Sequence, residues 1–163
     1  MLKLGCLKWG LLDDTGRNAV LSGFQKVKHL EMIRSQFDAS DQIIQLLASF
    51  PSLTHLSCTE THWLRDGVST VPHIPLPNGL QTIALDSGLS LSLHRLLSLY
   101  LHHNVRAIKL NHMFARYTQG VGKLLKALGS RLEELDLGDI HAALGYKDSN
   151  ADGQHRRIAS KFR

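Results

Sequence analysis

Leu132-Glu133-Glu134-Leu135-Asp136-Leu137 carries the apolar frame Leu-x-x-Leu-x-Leu. The same frame recurs upstream as Val105-x-x-Ile108-x-Leu110, Leu80-x-x-Ile83-x-Leu85, Leu53-x-x-Leu56-x-Cys58 and Val27-x-x-Leu30-x-Met32. A partial copy, Met1-x-x-Leu4-x-Cys6, opens the chain. The middle positions of successive frames step by 26, 26, 27, 25 and 27 residues. A fixed period of this length marks a chain built from stacked units, each too small to bury its own apolar face. Within each frame the last residues alternate apolar and polar, as a short half-buried strand does.

Between frames the pattern changes to helical spacing. Asp13-Asp14-Thr15 is a helix-start signal, and Ala19, Val20, Leu21 and Phe24 can form one apolar face after it. Asp38 or Ser40 is placed to cap a helix bearing Ile43, Ile44, Leu46 and Leu47, which Pro51 stops. A helix is expected from about residue 90 to 102, with Leu93, Leu96, Leu97, Tyr100 and Leu101 along its stripe. Another is expected from about 120 to 128, with Val121, Leu124, Leu125 and Leu128, and Gly129 just past its end. Residues 61–79 depart from this: Pro72, Pro75 and Pro77 forbid a helix, so an irregular or extended segment is expected. Trp9 reads as core. Strand, helix and strand with tight joints make parallel crossover units.

The chain has 163 residues, of which 43% are apolar and 20% charged, so one domain can bury a real core. Residues 1–145 form the expected domain of about six irregular repeats. Residues 146–163 lose the apolar pattern and read as a polar, basic, disordered tail. That tail carries much of the formal charge of +5, which makes the charge weak support for nucleic-acid binding. Cys6 and Cys58 both fall on the last apolar position of a frame and are expected to point inward. Two strand steps separate them, about 10 Å, beyond disulfide reach. Free buried thiols, no secretory leader and no run of about 18 apolar residues point to a cytoplasmic or nuclear protein, with no membrane partner.

Outward positions on the strands alternate with the buried ones. They are Lys3 and Gly5; His29 and Glu31; His55 and Ser57; Thr82 and Ala84; Ala107 and Lys109; Glu134 and Asp136. Bulkier helices behind close-set strands would curve the stack and leave this row on its concave side. From it, His29, Glu31, His55, Lys109, Glu134 and Asp136 are selected as partner-binding residues. Catalysis is not expected. Glu133 and Glu134 face opposite ways on a strand, while Glu134 and Asp136 share an open surface with no pocket for acid/base work. Gly120-x-Gly122-Lys123 lacks the length of a phosphate loop. Ten histidines include a loose cluster at His102, His103 and His112, but no accompanying ligand spacing, so neither metal nor cofactor is expected.

Residues 1–140 resemble leucine-rich-repeat proteins. Phe50-Pro51-Ser52-Leu53-Thr54-His55-Leu56 and Leu128-Gly129-Ser130-Arg131-Leu132-Glu133-Glu134-Leu135-Asp136-Leu137 look more specifically like the F-box-type repeat proteins of fungi. The resemblance implies an α/β solenoid: a curved parallel sheet with helices and an irregular loop on its convex side. It also implies a non-catalytic scaffold that holds a protein partner, as a truncated or degenerate ubiquitin-ligase substrate receptor. In that family an F-box docks onto the ligase's small adaptor protein. This sequence opens inside a repeat, so the adaptor is not expected to bind it. The pattern departs from many such families in one respect. They place Asn or Cys three residues past the strand, where this chain has Trp9, Ser35, Thr61, Gly88, Met113 and Ile140. The alternative function is nucleic-acid association through the basic tail, which salt would weaken steeply.

Overall fold

The structure is a computed structural model that describes residues 1–65, 76–86, 104–111, 113–114, 118–138, 140–141 and 158–161. Along the chain its strands and α-helices are β1 (Leu2–Gly5), α1 (Asp14–Gly23), β2 (His29–Ile33), β3 (Gln36–Ala39), α2 (Ser40–Ala48), β4 (His55–Thr59), β5 (His62–Arg65), β6 (Thr82–Leu85), β7 (Ala107–Leu110), β8 (Met113–Phe114), α3 (Thr118–Leu128), β9 (Glu134–Leu137), β10 (Ile140–His141) and β11 (Ile158–Lys161). The fold is α/β with a mostly parallel main sheet. Its strand order is β1-β2-β4-β6-β7-β9-β11, and only β11 runs antiparallel to its neighbour.

Register joins the repeated frames. Leu30, Leu56, Ile83, Ile108 and Leu135 are successive cross-strand partners, and so are Met32, Cys58, Leu85, Leu110 and Leu137. All of these are buried except Leu137, which is half-buried. Full burial of one such side chain contributes about 1.5–3 kcal/mol, so these two rows form the main apolar spine. The residues just before β2, β4, β6 and β7 are used in the same way. The carbonyl of Lys28 accepts from the backbone N–H of Thr54 and His55; that of Thr54 from Gln81 and Thr82; that of Gln81 from Arg106 and Ala107; that of Arg106 from Glu133 and Glu134. β4, β6, β7 and β9 therefore begin on the same paired hydrogen bonds, although the connections before them differ in length.

The first frame is set differently from its expected position. Leu2 pairs with Leu30 and Leu4 with Met32, so the frame is Leu2-x-Leu4 rather than Leu4-x-Cys6. A shift of two residues keeps the same side chains facing inward, so alternation alone cannot distinguish the two settings. Cys6 consequently lies past the strand and is exposed, whereas Cys58 is buried as expected. Both thiols are free. Burial pushes the Cys58 thiol up to about 12.

A corner follows each of the first three strands of this register. Cys6, Arg34 and Glu60 each directly follow a strand and adopt left-handed backbone, with φ of 53°, 50° and 49°. Next come the buried Ser35 and Thr61, at two of the positions where Asn would be usual in a repeat. Ser35 Oγ lies 3.4 Å from the Leu4 carbonyl, and Thr61 Oγ1 lies 3.5 Å from that of Met32. A hydroxyl thus reaches back one strand, as a longer amide would. The chain then enters a second, two-stranded parallel sheet, β3 with β5, the latter lying at the start of the segment expected to be irregular or extended. Its pairing sets Phe37 beside Trp63, and Trp9 packs on Phe37 with ring centroids 5.8 Å apart. All three aromatics are buried, Trp9 as expected from sequence. Residues 66–75 lie outside the described residues. β8 and β10 pair in parallel as a third small sheet.

The helices follow the apolar spacing. Asp13 caps α1 by accepting from the Gly16 N–H at 2.8 Å. Val20 and Leu21 of α1 are half-buried against the core, while Ala19 and Phe24 are exposed. In α2, Ile43, Ile44, Leu46 and Leu47 are buried. Its cap differs from expectation: Ala39 occupies the position and gives no side-chain bond, while Gln42 Oε1 accepts from the Asp38 N–H at 2.9 Å. α3 starts two residues before its expected position and buries Val121, Leu124 and Leu128. Gly129 follows it at φ 58°, the left-handed conformation that glycine adopts without a side-chain clash. The helix expected at 90–102 lies outside the described residues. Residues 158–161 fall in the segment read from sequence as a tail. There β11 pairs antiparallel with β9, setting Ile158 beside Leu137 and Lys161 beside Glu134. Among the described residues no helix is long and apolar enough to cross a membrane.

Candidate partner-binding face

The main sheet buries one face and leaves the other open, so the polar residues between buried ones line up across strands. One row runs His29, His55, Thr82, Ala107, Glu134. The next runs Lys3, Glu31, Ser57, Ala84, Lys109, Asp136. A third begins Gly5, Ile33, Thr59. The corrected first register puts Lys3 opposite Glu31.

The six residues selected from sequence fall into two groups on this face. On β2 and β4, His29 and His55 are direct cross-strand partners, with ring centroids 4.2 Å apart and planes inclined by 34°. Thr54 Oγ1 lies 2.8 Å from His55 Nδ1. Partial burial, and then the neighbouring His29, hold the His55 pKa below its ordinary value. Glu31 shares the face and meets Lys3 at 3.3 Å. On β7 and β9, Lys109 meets Glu134 at 3.5 Å. Asp136 is half-buried beside Lys109, and its Oδ1 has no hydrogen-bond partner among the described residues. β6 separates the groups and contributes only Thr82 and Ala84 to the face. The result is a low middle strip flanked by a histidine-rich side and an acidic side that includes Lys109.

Sequence alternation found all six residues but not their couplings. Lys3 and Thr54 were missed as partners, because the period that relates them to Glu31 and Lys28 appears only once register is known. Among the described residues, no group of three or more His, Cys, Asp or Glu is arranged to hold a metal. The described residues also line two shallow depressions. One of about 260 Å³ is bordered by Lys8, Gly10, Leu11, Gln36 and Asp38. The other, of about 240 Å³, lies beside Asn104, Arg106, Ser130, Arg131 and Glu133, where Arg106 and Glu133 pair at 2.8 Å. Neither includes any of the six selected residues. Their open form gives little means of desolvating a reacting group. No protein-family model, curated protein or solved structure matches the chain.

Proposed function

We propose that this chain is a leucine-rich-repeat module that binds a protein partner across the outward face of its main sheet and catalyses no reaction. The observation that carries the reading is the parallel register of that face. Successive strands present varied side chains in rows, while apolar residues are spent on stacking. Such a face makes many modest contacts over a broad area but encloses no reaction chamber. The low strip at Thr82, Ala84 and Ala107 lets a partner approach the backbone. The charged groups at Lys109, Glu134 and Asp136 select its orientation and speed its encounter more than they add affinity. The substrate-receptor role implied by the F-box-type resemblance belongs to the same reading, with the repeats holding the client.

The test is capture from lysate with the purified chain, followed by identification of the bound protein. Binding of that protein is then measured for the Lys109→Ala, Glu134→Ala double variant. Loss of binding with an unchanged circular dichroism spectrum supports the outward face. Unchanged binding refutes that placement.

A further inference from the structure

The pairing of His29 with His55 suggests a chemistry of its own. The two rings belong to adjacent parallel strands in direct register, and both lie on the outward face. Their centroids are 4.2 Å apart. The Thr54 hydroxyl donates to the Lys28 carbonyl at 3.0 Å, so the 2.8 Å approach to His55 Nδ1 makes that nitrogen the N–H donor. Nε2 of His55 then keeps its lone pair. A ligating histidine is commonly oriented in this way, with one ring nitrogen tied down and the other free. The His29 ring is exposed and has no hydrogen-bond partner among the described residues, so rotation of its side chain breaks no bond.

We propose that His29 and His55 form a two-imidazole site for a divalent transition-metal ion, with the remaining coordination positions open to solvent. Metal–nitrogen bonds of about 2.0–2.1 Å place two donor nitrogens roughly 3 Å apart. Side-chain rotation can bring rings at the observed spacing to that geometry without moving either strand. The ligand type selects the ion. Imidazole suits Zn²⁺, Ni²⁺ and Cu²⁺, with Cu²⁺ held most tightly, whereas Ca²⁺ and Mg²⁺ require oxygen donors. The nearest outward carboxylate on β2, Glu31, is engaged by Lys3 at 3.3 Å, leaving the two imidazoles as the donors. Since the fold holds both rings together, the second metal–nitrogen bond forms intramolecularly. The pair therefore outcompetes any single exposed histidine, such as His62. This site is independent of the partner reading: the chain can bind metal whether or not it captures a protein.

The test is titration of the full chain with ZnCl₂ at neutral pH, following assigned histidine ring resonances by NMR. His29 and His55 are expected to shift together on one curve, before His62. His29→Asn should raise the zinc concentration needed to shift His55 by at least about tenfold, while His62→Asn should not. Unchanged circular dichroism spectra show that the variants are folded. His29 and His55 shifting no earlier than His62, or on separate curves, would overturn the proposal. So would a His55 curve unmoved by His29→Asn.

Discussion

Replacing Leu56 by alanine removes three carbons from the centre of the spine. Leu56 is 1% exposed and lies between Leu30 and Ile83 on the neighbouring strands. At about 0.8 kcal/mol per buried carbon, the lost transfer free energy is about 2.4 kcal/mol. The hole adds a cavity cost, because strands fixed by paired hydrogen bonds cannot close around it. The total should reach about 3–4 kcal/mol. Ser57, the next residue, points outward, and Ser57→Ala should change stability by less than about 0.5 kcal/mol. Urea unfolding followed by circular dichroism measures both, with comparison of midpoints at constant slope. Similar losses from the two substitutions, or a loss below about 1 kcal/mol for Leu56→Ala, would refute the assignment of inward and outward faces.

The two cysteines should separate by reactivity. Cys6 should react with a thiol reagent in the native protein, whereas Cys58, buried and with its pKa pushed up to about 12, should react only on unfolding. Cys6→Gly should stabilise the fold by up to about 1 kcal/mol in a denaturant melt, because glycine relieves the left-handed strain and returns only part of that gain as chain entropy. For His55, the lowered folded-state pKa means that the unfolded chain binds protons more readily. Its contribution to stability is therefore retained above the ordinary value of 6.5 and lost as pH falls through it, levelling below the folded-state value. Thermal melts between pH 5 and 7 should show a smaller decline for His29→Asn, which removes the smaller cause of the shift but leaves the burial. Deleting residues 158–163 should speed amide exchange at Glu134–Leu137, since β11 supplies the antiparallel neighbour there. Unchanged exchange would refute that pairing.

Much of the main sheet was legible because burial imposes a period of two within strands and the repeat imposes one near 26. Leu30, Leu56, Ile83, Ile108 and Leu135 satisfy both, and they form one line of cross-strand partners. Where one signal was missing, the reading slipped. The first frame has inward leucines at positions 2 and 4 and a cysteine at 6, so parity allowed two registers. Gln36-Phe37-Asp38-Ala39 contains one large apolar residue, too few for a strand pattern. It becomes a strand because the corner brings it beside His62–Arg65. The Ser35 and Thr61 hydroxyls were visible only as the absence of the usual amide. Ile158-Ala159-Ser160-Lys161 offers almost no alternation, and its pairing depends on the exposed edge of β9. For the outward face, alternation identified the residues. The 4.2 Å approach of His29 and His55 required the register as well.

The paired hydrogen bonds at the starts of β4, β6, β7 and β9 also bear on how sequence length can change. The spacing between cross-strand partners is 27 residues from Leu56 to Ile83 but 25 from Ile83 to Ile108, yet both pairs lie in the same continuous sheet. Alignment is therefore fixed where the strand starts, by a carbonyl one unit upstream, and the intervening segment does not measure it. Insertions and deletions between strands can accumulate while the outward rows remain aligned. Duplication of a whole unit would likewise add a row of side chains to the face without disturbing those already there. The outward face can thus vary in width and chemistry on a fixed geometric step.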